Sequence, residues 1–587
     1  MAGYQDLVLR VNLTTGKVAT ESLNKEWARD FLGGKGLGIK YLYEEVGPGV
    51  EALSPENKLI FMTGPFTGTI VPCSGKLGII TKSPLNGYIL DCSIGGSAAV
   101  EIKRAGYDAV IVEGKSDYPV YLLIEDGQVE LKEAGDYWGL CCHDTEEKLK
   151  KVYGDDYSVL SIGPAGENLV AYACITSDLY RQAGRGGVGA VMGSKMLKAV
   201  VVKGTGAVRA ADAKKLMDVT YNAYKNDLLT DTNLWAYTDG TPMIVELSQT
   251  TGILPTRNFQ QGTFDQFANI KSEAVAAARE AKKGCVSCGL GCGNFTRVGE
   301  AVVEGPEYET LSIAGSNCGI NDLGAIVKFN ANCDAFGLDT ISAGGTIAFA
   351  MEMTEKGIYD FGIRFGDADK YVELPELIAK REGLGAELAL GAKKLAEKYG
   401  GIEFAMQVKG LEFPGYDPRG AWGMGLAYAT APRGACHMSA WPVADEAYGE
   451  GNPFTIEGKA EMVKDLQHYN AAKFSLILCD FWALSFDIMA EMLSALLGEE
   501  VTAQSLEQAG ERIFNLARLF NTREGLSAKD DVLPARIHRH PLATGSTEGK
   551  TLPEEEFIKM LLEYYSIRGW DNNGVPSGEK LQELGLR

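Results

Sequence analysis

Histidine is scarce. Five imidazoles in 587 residues are too few for a His-rich zinc site. Positive charge is also short: 57 Lys and Arg against 78 Asp and Glu give a formal charge of −21 and a pI of about 4.9. That balance argues against nucleic acid or an anionic membrane as the main partner. Long apolar runs are missing too. The most apolar late stretch, Phe481 to Leu497, carries Asp487 and Glu491 and reads as a buried helix, not a membrane span. The opening Met1-Ala-Gly-Tyr-Gln-Asp6 has neither the basic n-region nor the apolar h-region of a signal peptide. A soluble, cytoplasmic protein is therefore expected.

What is abundant is equally informative. Apolar residues make up 45%, ample for large cores, and the length predicts two to four domains. Twelve cysteines without a secretion signal point to metal or redox roles rather than disulfides. Seventy-one glycines predict many tight turns and close backbone approaches.

The pattern predicts an α+β chain. Residues 1–207 read as a β-rich base. Leu7 to Leu13, Lys58 to Met62, Leu77 to Ile80, Ala109 to Val112 and Ala199 to Gly204 are short strands. Val120 to Ile124 and Val129 to Leu131 flank the hairpin turn Glu125-Asp-Gly-Gln, and a short helix is expected around Ala98 to Ala105. Residues 208–410 turn helical, with Asp212 as the N-cap of a helix from Ala213 to Lys225. Helical periodicity also fits Ile270 to Lys282, Ala325 to Cys333, Ala343 to Lys356 and Leu374 to Lys398. A third, mostly helical segment runs over residues 411–587.

The sharpest local motif is Cys285-Val-Ser-Cys288-Gly-Leu-Gly-Cys292. Three thiols within eight residues can wrap a [4Fe–4S] cluster, with Gly289 and Gly291 letting the backbone fold tightly. Such a cluster requires four thiolates, so a fourth must come from elsewhere. Cys479 in Leu476-Ile-Leu-Cys-Asp480 is one candidate. A zinc knuckle or a structural role is the alternative, although no nearby His or second CxxC completes a zinc site.

Two glycine-rich stretches lie in the first segment. Ser93-Ile-Gly95-Gly96-Ser97 leads into a helix. The second runs from Gln182-Ala183-Gly184-Arg185-Gly186-Gly187 to Gly193. Backbone N–H groups at such turns bind phosphates, and Arg185 adds a charge-assisted donor. The next strand follows too closely for a Rossmann unit, so a phosphate-bearing cofactor other than NAD is expected. Glycines placed for close packing are the alternative. The loop Asp334-Ala-Phe-Gly337-Leu338-Asp339 offers Gly337 as a left-handed helix cap. It also offers two carboxylates able to accept from the N–H groups of a heterocycle. Helix capping alone explains this loop as well.

Together these pieces resemble the tungsten-dependent aldehyde:ferredoxin oxidoreductase family over nearly the whole chain. The matching motifs, in order, begin with Leu9-Arg-Val-Asn-Leu-Thr-Thr-Gly16, Gly33-Gly-Lys-Gly-Leu-Gly38 and Gly64-Pro-Phe-Thr-Gly68. Ala183 to Lys195, the cysteine triplet and Gly305-Pro-Glu-Tyr-Glu-Thr310 follow. Asp334 to Asp339, Arg433-Gly-Ala-Cys-His437 and Tyr564-Tyr-Ser-Ile-Arg-Gly-Trp570 complete the series. The resemblance implies a β-rich base and two largely helical domains enclosing one tungsten (or molybdenum) on two molybdopterins. It also implies Mg2+ between the pterin phosphates and a neighbouring [4Fe–4S] cluster. A small aldehyde would be oxidised to its acid, with electrons passing to ferredoxin or to a separate iron–sulfur subunit. Homo-oligomers fit the resemblance equally.

Carried over residue by residue, the resemblance makes Cys285, Cys288, Cys292 and Cys479 the cluster ligands. Asp334, Gly337, Leu338 and Asp339 keep the pterin-binding motif. In its second copy, Phe474-Ser-Leu-Ile-Leu478-Cys479, Leu478 and Cys479 are kept, while Phe474 replaces the expected Asp and Ile477 the Gly. Lys76 stands where an Arg often meets a pterin phosphate, and Ser93 where Asn is commoner. Glu309 and His437 match residues that face the metal, Glu307 is the alternative to Glu309, and Tyr416 resembles a pocket tyrosine. Within the family, a relative acting on a non-aldehyde such as an aromatic acyl-CoA is the main competing function. There Cys318 would be a rival ligand. A non-catalytic iron–sulfur electron-transfer subunit is the other.

Overall fold

The computed structural model describes residues 1–299 and 301–587. Its architecture is α+β, with the strands concentrated in the first third and helices dominating the rest. Among the described residues, no helix is long and apolar enough to cross a membrane.

Two six-stranded sheets form the base. The first joins β1 (Leu7–Asn12), β2 (Lys17–Ser22), β3 (Leu59–Met62), β4 (Leu77–Lys82), β5 (Ile89–Ile94) and β6 (Ala109–Glu113), in the order β2-β1-β6-β3-β4-β5. Only β1 and β6 run parallel in it, with Val8 opposite Ala109. The second joins β7 (Val120–Glu125), β8 (Gln128–Glu133), β9 (Ser158–Ser161), β10 (Ile175–Ser177), β11 (Arg181–Ala183) and β12 (Leu197–Lys203), in the order β11-β10-β9-β12-β7-β8. β3 and β4 are buried along their whole length, as expected for strands covered on both faces. Leu9, Phe61, Ile79 and Val110 of the first sheet share one apolar core with Leu122, Leu160, Val200 and Val202 of the second. The Glu125-to-Gln128 turn closes the β7–β8 hairpin, with Asp126 at φ 50°.

A larger core spans most of the helical part, from Ile244 through Ile347 and Met424 to Trp570, and takes in Leu85, Ala165, Tyr172 and Ala190 of the base. Helix Lys459–Ser475 packs along helix Ala503–Arg523. Gly510 allows that approach, since a Cβ there would meet the His468 carbonyl at 2.1 Å.

Two helix expectations need correction. The helix predicted over 270–282 ends at Ala278, and Arg279–Lys283 is instead the edge strand β13. It pairs with β14 (Gly293–Val298), which pairs with β15 (Ala301–Glu304), so the cysteine triplet lies in the β13–β14 connection. The stretch 374–398 is three helices, Leu374–Lys380, Leu384–Leu388 and Ala392–Tyr399. Left-handed residues at Arg381 (φ 55°), Gly383 (52°) and Gly391 (84°) break them apart.

Candidate active site

The cysteine triplet and Cys479 meet under one apolar roof. Cys288, Cys292 and Cys479 pack against the cluster that holds Val71, Leu476, Leu478 and Trp482. Cys285 lies beside the loop after β5, where a Cβ on Gly95 would fall 2.6 Å from its Sγ. The connection between the two arms is Cys73. Its N–H donates to the Ser287 carbonyl at 2.9 Å, and its carbonyl accepts from the Cys479 N–H at 2.9 Å. Zinc, at 2.3 Å from each sulfur, holds its thiolates about 3.8 Å apart. Among the described residues, no three of these thiols fall within 4.8 Å of one another, the closeness a single zinc would require.

Cations flank the thiols. Lys76 Nζ pairs with Asp480 Oδ1 at 2.7 Å, next to Cys479. Burial opposes charge on Lys76, but Asp480 and the thiols of Cys479 and Cys285 outweigh it and raise its pKa. Arg181 pairs with Glu304 at 2.7 Å and faces Cys285 and Cys292. Both cations suit a site that accumulates negative charge on sulfur.

The two loops expected to bind a cofactor converge. Gln182 Nε2 donates to Asp334 Oδ1 at 3.1 Å, and Asn330 Nδ2 donates to Oδ2 at 3.0 Å. Arg185 Nε stands 3.7 Å from Asp339 Oδ2, while Nη1 donates to the Ala435 carbonyl at 2.6 Å. Asp339 caps helix Thr340–Glu355, accepting from the N–H groups of Ile341 and Ser342. Gly337 caps the preceding helix at φ 77°, and Leu338 is buried beside Ala173. Ala183 ends β11, and Gly186 and Gly187 adopt φ 84° and 92°. Arg185 Nε, apart from its 3.7 Å approach to Asp339, makes no hydrogen bond among the described residues though it is buried.

The loop after β5 behaves differently. The Ser97 hydroxyl donates to Asp178 Oδ1 at 2.7 Å, and the Ser97 N–H donates to the other oxygen. A carboxylate thus already occupies the helix N-terminus expected to hold a phosphate. Gly96 is required because a Cβ would strike Asp178 Oδ2 at 2.1 Å. Gly95 allows close packing against Cys285 and Gly96 against Asp178, and Ser93 sits on β5 opposite Gly78.

Glu309 and His437 face each other, with Oε1 and Nδ1 3.7 Å apart. The Gly415 N–H donates to Glu309 Oε2 at 2.8 Å. Beyond this mutual approach, Glu309 Oε1 and His437 Nδ1 are buried atoms that make no hydrogen bond among the described residues. Burial pushes the Glu309 carboxyl up to about 7, against the Gly415 N–H and Arg185. Burial, then Arg185 and Arg433, push the His437 imidazole down to about 3. Near neutral pH this is a carboxyl raised toward neutrality beside a neutral imidazole. Tyr416 completes the wall, its ring 5.8 Å from His437 and 5.3 Å from Tyr308. Glu307 does not join the pair, because its carboxylate takes the Thr241 hydroxyl. Neither does Cys318, whose buried thiol points at the carbonyls of Ile313 and Gly344.

Comparison with known proteins follows the same outline. Residues 8–204 match the family model for the N-terminal domain of aldehyde ferredoxin oxidoreductase, and residues 218–586 match that for its domains 2 and 3. The chain belongs to the aldehyde ferredoxin oxidoreductase family. It is an oxidoreductase. It is 44% identical to the tungsten-containing aldehyde ferredoxin oxidoreductase of Pyrococcus abyssi, over 100% of this chain and 99% of the relative. It is 30% identical to the WOR-like subunit of an aliphatic sulfonate oxidoreductase of Pyrococcus furiosus, over 100% and 97%. Among solved structures it resembles the active-site complex BamBC of benzoyl coenzyme A reductase bound to 1,5-dienoyl-CoA. The TM-score there is 0.86 and the identity 26%, covering 100% of this chain and 97% of that one.

Within this family member, the altered second motif keeps its backbone. Ile477, where a glycine was expected, takes φ 70°, a strained region for a branched residue. Its side chain is accommodated by two glycines, since a Cβ on Gly34 or Gly64 would lie 2.6 Å from it. Phe474 lines a small pocket with Lys35, Asp91, Arg433, Cys436 and Ser439. Lys35 Nζ pairs with Asp91 Oδ2 at 3.1 Å, and Arg433 donates to the Asp91 carbonyl at 2.6 Å. Buried Lys35 and half-buried Arg433, and the aromatic wall of Tyr308, Trp441 and Tyr448, were not singled out as site residues from the sequence. Their signal was adjacency: Lys35 sits inside a glycine run, Arg433 in the His437 motif, and Tyr308 beside Glu309.

Proposed function

We propose that this oxidoreductase converts small aldehydes to carboxylic acids, R–CHO + H2O → R–COOH + 2 H+ + 2 e−, in the cytoplasm. The observation that carries the reading is the facing pair of Glu309 and His437, each with a buried atom that makes no hydrogen bond among the described residues. An aldehyde oxidation needs one group to take a proton from water and another to polarise the carbonyl. A carboxyl poised near 7 suits the first task. A neutral imidazole, through its single N–H, suits the second as a hydrogen-bond donor. Tyr416 walls the pocket on the imidazole side.

The residues fit a pterin-bound metal. Arg185 Nε is buried without a hydrogen bond among the described residues, and Lys35, Arg433 and Lys76 supply cations of the kind phosphates seek. In this reading the loop Ala183 to Gly187, together with Asp334, Gly337, Leu338 and Asp339, holds one pterin, and Leu478 borders the second. Mg2+ would join their phosphates, and the segments 1–207, 208–410 and 411–587 would enclose the whole. A tungsten (or molybdenum) bis-pterin supplies a two-electron acceptor when bound. Cys285, Cys288, Cys292 and Cys479 would hold a [4Fe–4S] cluster that releases electrons singly to ferredoxin or to a separate iron–sulfur subunit. The names of the relatives support an aldehyde substrate and a ferredoxin acceptor. Viologen reduction by the purified, metal-loaded protein with a panel of aldehydes tests the proposal. Turnover on aldehydes is the expected result, and none on any aldehyde overturns it.

A further inference from the structure

Cys73 is a fifth thiol at the cysteine site. It lies in the loop before β4, far in sequence from the triplet, and is almost fully buried. Its Sγ is 3.9 Å from Cys288 Sγ. That is nearly twice the length of a disulfide bond and within reach of a sulfur–sulfur hydrogen bond. The backbone is committed to the same place. The N–H of Cys73 donates to Ser287, and its carbonyl accepts from Cys479, both at 2.9 Å. The Ser74 hydroxyl pins the turn by donating to the carbonyls of Phe66 at 3.0 Å and Val71 at 2.8 Å. Cys73 holds φ 59°, a conformation that favours glycine over any side chain. The thiol is thus carried into the site on a backbone that would be more relaxed without it.

Resting on the reading that the four cysteines hold a [4Fe–4S] cluster, we propose that the Cys73 thiol donates a hydrogen bond to the Cys288 sulfur and raises the cluster's reduction potential. A cubane takes four thiolates, and four are already supplied. With Cys288 bound to iron as a thiolate, only Cys73 has a proton to give. A donor to a ligand sulfur draws off negative charge, and the reduced cluster carries one more electron than the oxidised one. The bond therefore stabilises the reduced state, and hydrogen bonds to sulfur are among the determinants of cluster potential. Cys73 is a positioning residue for electron flow, acting through Cys288.

The test is a potentiometric titration of the full-length, metal-loaded protein followed by EPR, with iron per chain measured on the same samples. Cys73→Gly removes the thiol while suiting the backbone, Cys73→Ala removes it conservatively, and Cys73→Ser keeps a donor. Gly and Ala should retain wild-type iron and shift the midpoint to more negative values. At a fixed potential the ratio of reduced to oxidised cluster should fall about tenfold, equivalent to 59 mV for one electron. Ser should track the wild type. Unchanged midpoints in Gly and Ala would reduce Cys73 to packing and overturn the inference. So would a Ser variant that behaves like Ala, or a loss of iron in Gly and Ala, which would make Cys73 a ligand. A wild-type protein without a reducible iron–sulfur signal would instead overturn the cluster reading itself.

Discussion

Glu309 Oε1 and His437 Nδ1 stand 3.7 Å apart, buried, and neither makes a hydrogen bond among the described residues. Buried polar atoms without hydrogen bonds are costly, and in the proposed reaction a substrate between these two would complete their hydrogen bonding. Replacing Glu309 with Gln should keep the shape and remove the base. Turnover should fall on the order of 100-fold, with tungsten or molybdenum content near wild type. Metal analysis alongside steady-state rates checks this.

The same carboxyl sets a pH dependence. Burial pushes Glu309 up to about 7, so its neutral form dominates below that value and the carboxylate above it. A base must be ionised, so kcat should rise with pH through about 7, and the rise should vanish in Glu309→Gln. A pH–rate profile of the two proteins with one aldehyde measures it. An identical rise in both would assign the titration to another group.

His437 is held neutral, down to about 3, by burial and by Arg185 and Arg433. It should therefore contribute no ionisation between about pH 5 and 9. His437→Asn should lower kcat on the order of 100-fold and leave the shape of the pH profile intact. A profile that loses a limb in this variant would contradict a neutral imidazole.

Much of this was legible in the residues themselves. Asp212 accepts from Lys215 at 2.9 Å as the expected N-cap, and Gly337 takes the left-handed cap. Local signals of this kind depend on a few neighbours only. The misses depend on distant ones. Arg279 to Lys283 continues an alanine-rich helical run and shows no alternation, so nothing local announces the strand that β14 imposes by pairing. Arg381 carries no mark of its left-handed conformation. The Asp178 carboxylate that fills the helix N-terminus at Ser97 comes from 81 residues away. Cys73 has no neighbouring cysteine in sequence, so its place beside Cys288 arises only from folding.

Lys76 and Asp480 form a largely buried pair. Burial would raise the Asp480 carboxyl, but Lys76 and Lys473 outweigh it and hold it below the usual range. Its stabilising contribution is therefore full above the ordinary carboxylate pKa and is lost as pH falls through the lowered value. Lys76→Met should cost about 2 kcal/mol near neutral pH, and the deficit should shrink below about pH 4. Thermal unfolding midpoints across that range test it.

The most direct test of the account is a metal and redox inventory of the purified full-length protein. Tungsten or molybdenum and about four irons per chain are expected, with the iron–sulfur EPR signal appearing when an aldehyde is added in the absence of acceptor. In Cys479→Ala the cluster signal should be lost. Protein with neither tungsten nor molybdenum after growth on both, or with a cluster that aldehydes never reduce, would contradict it.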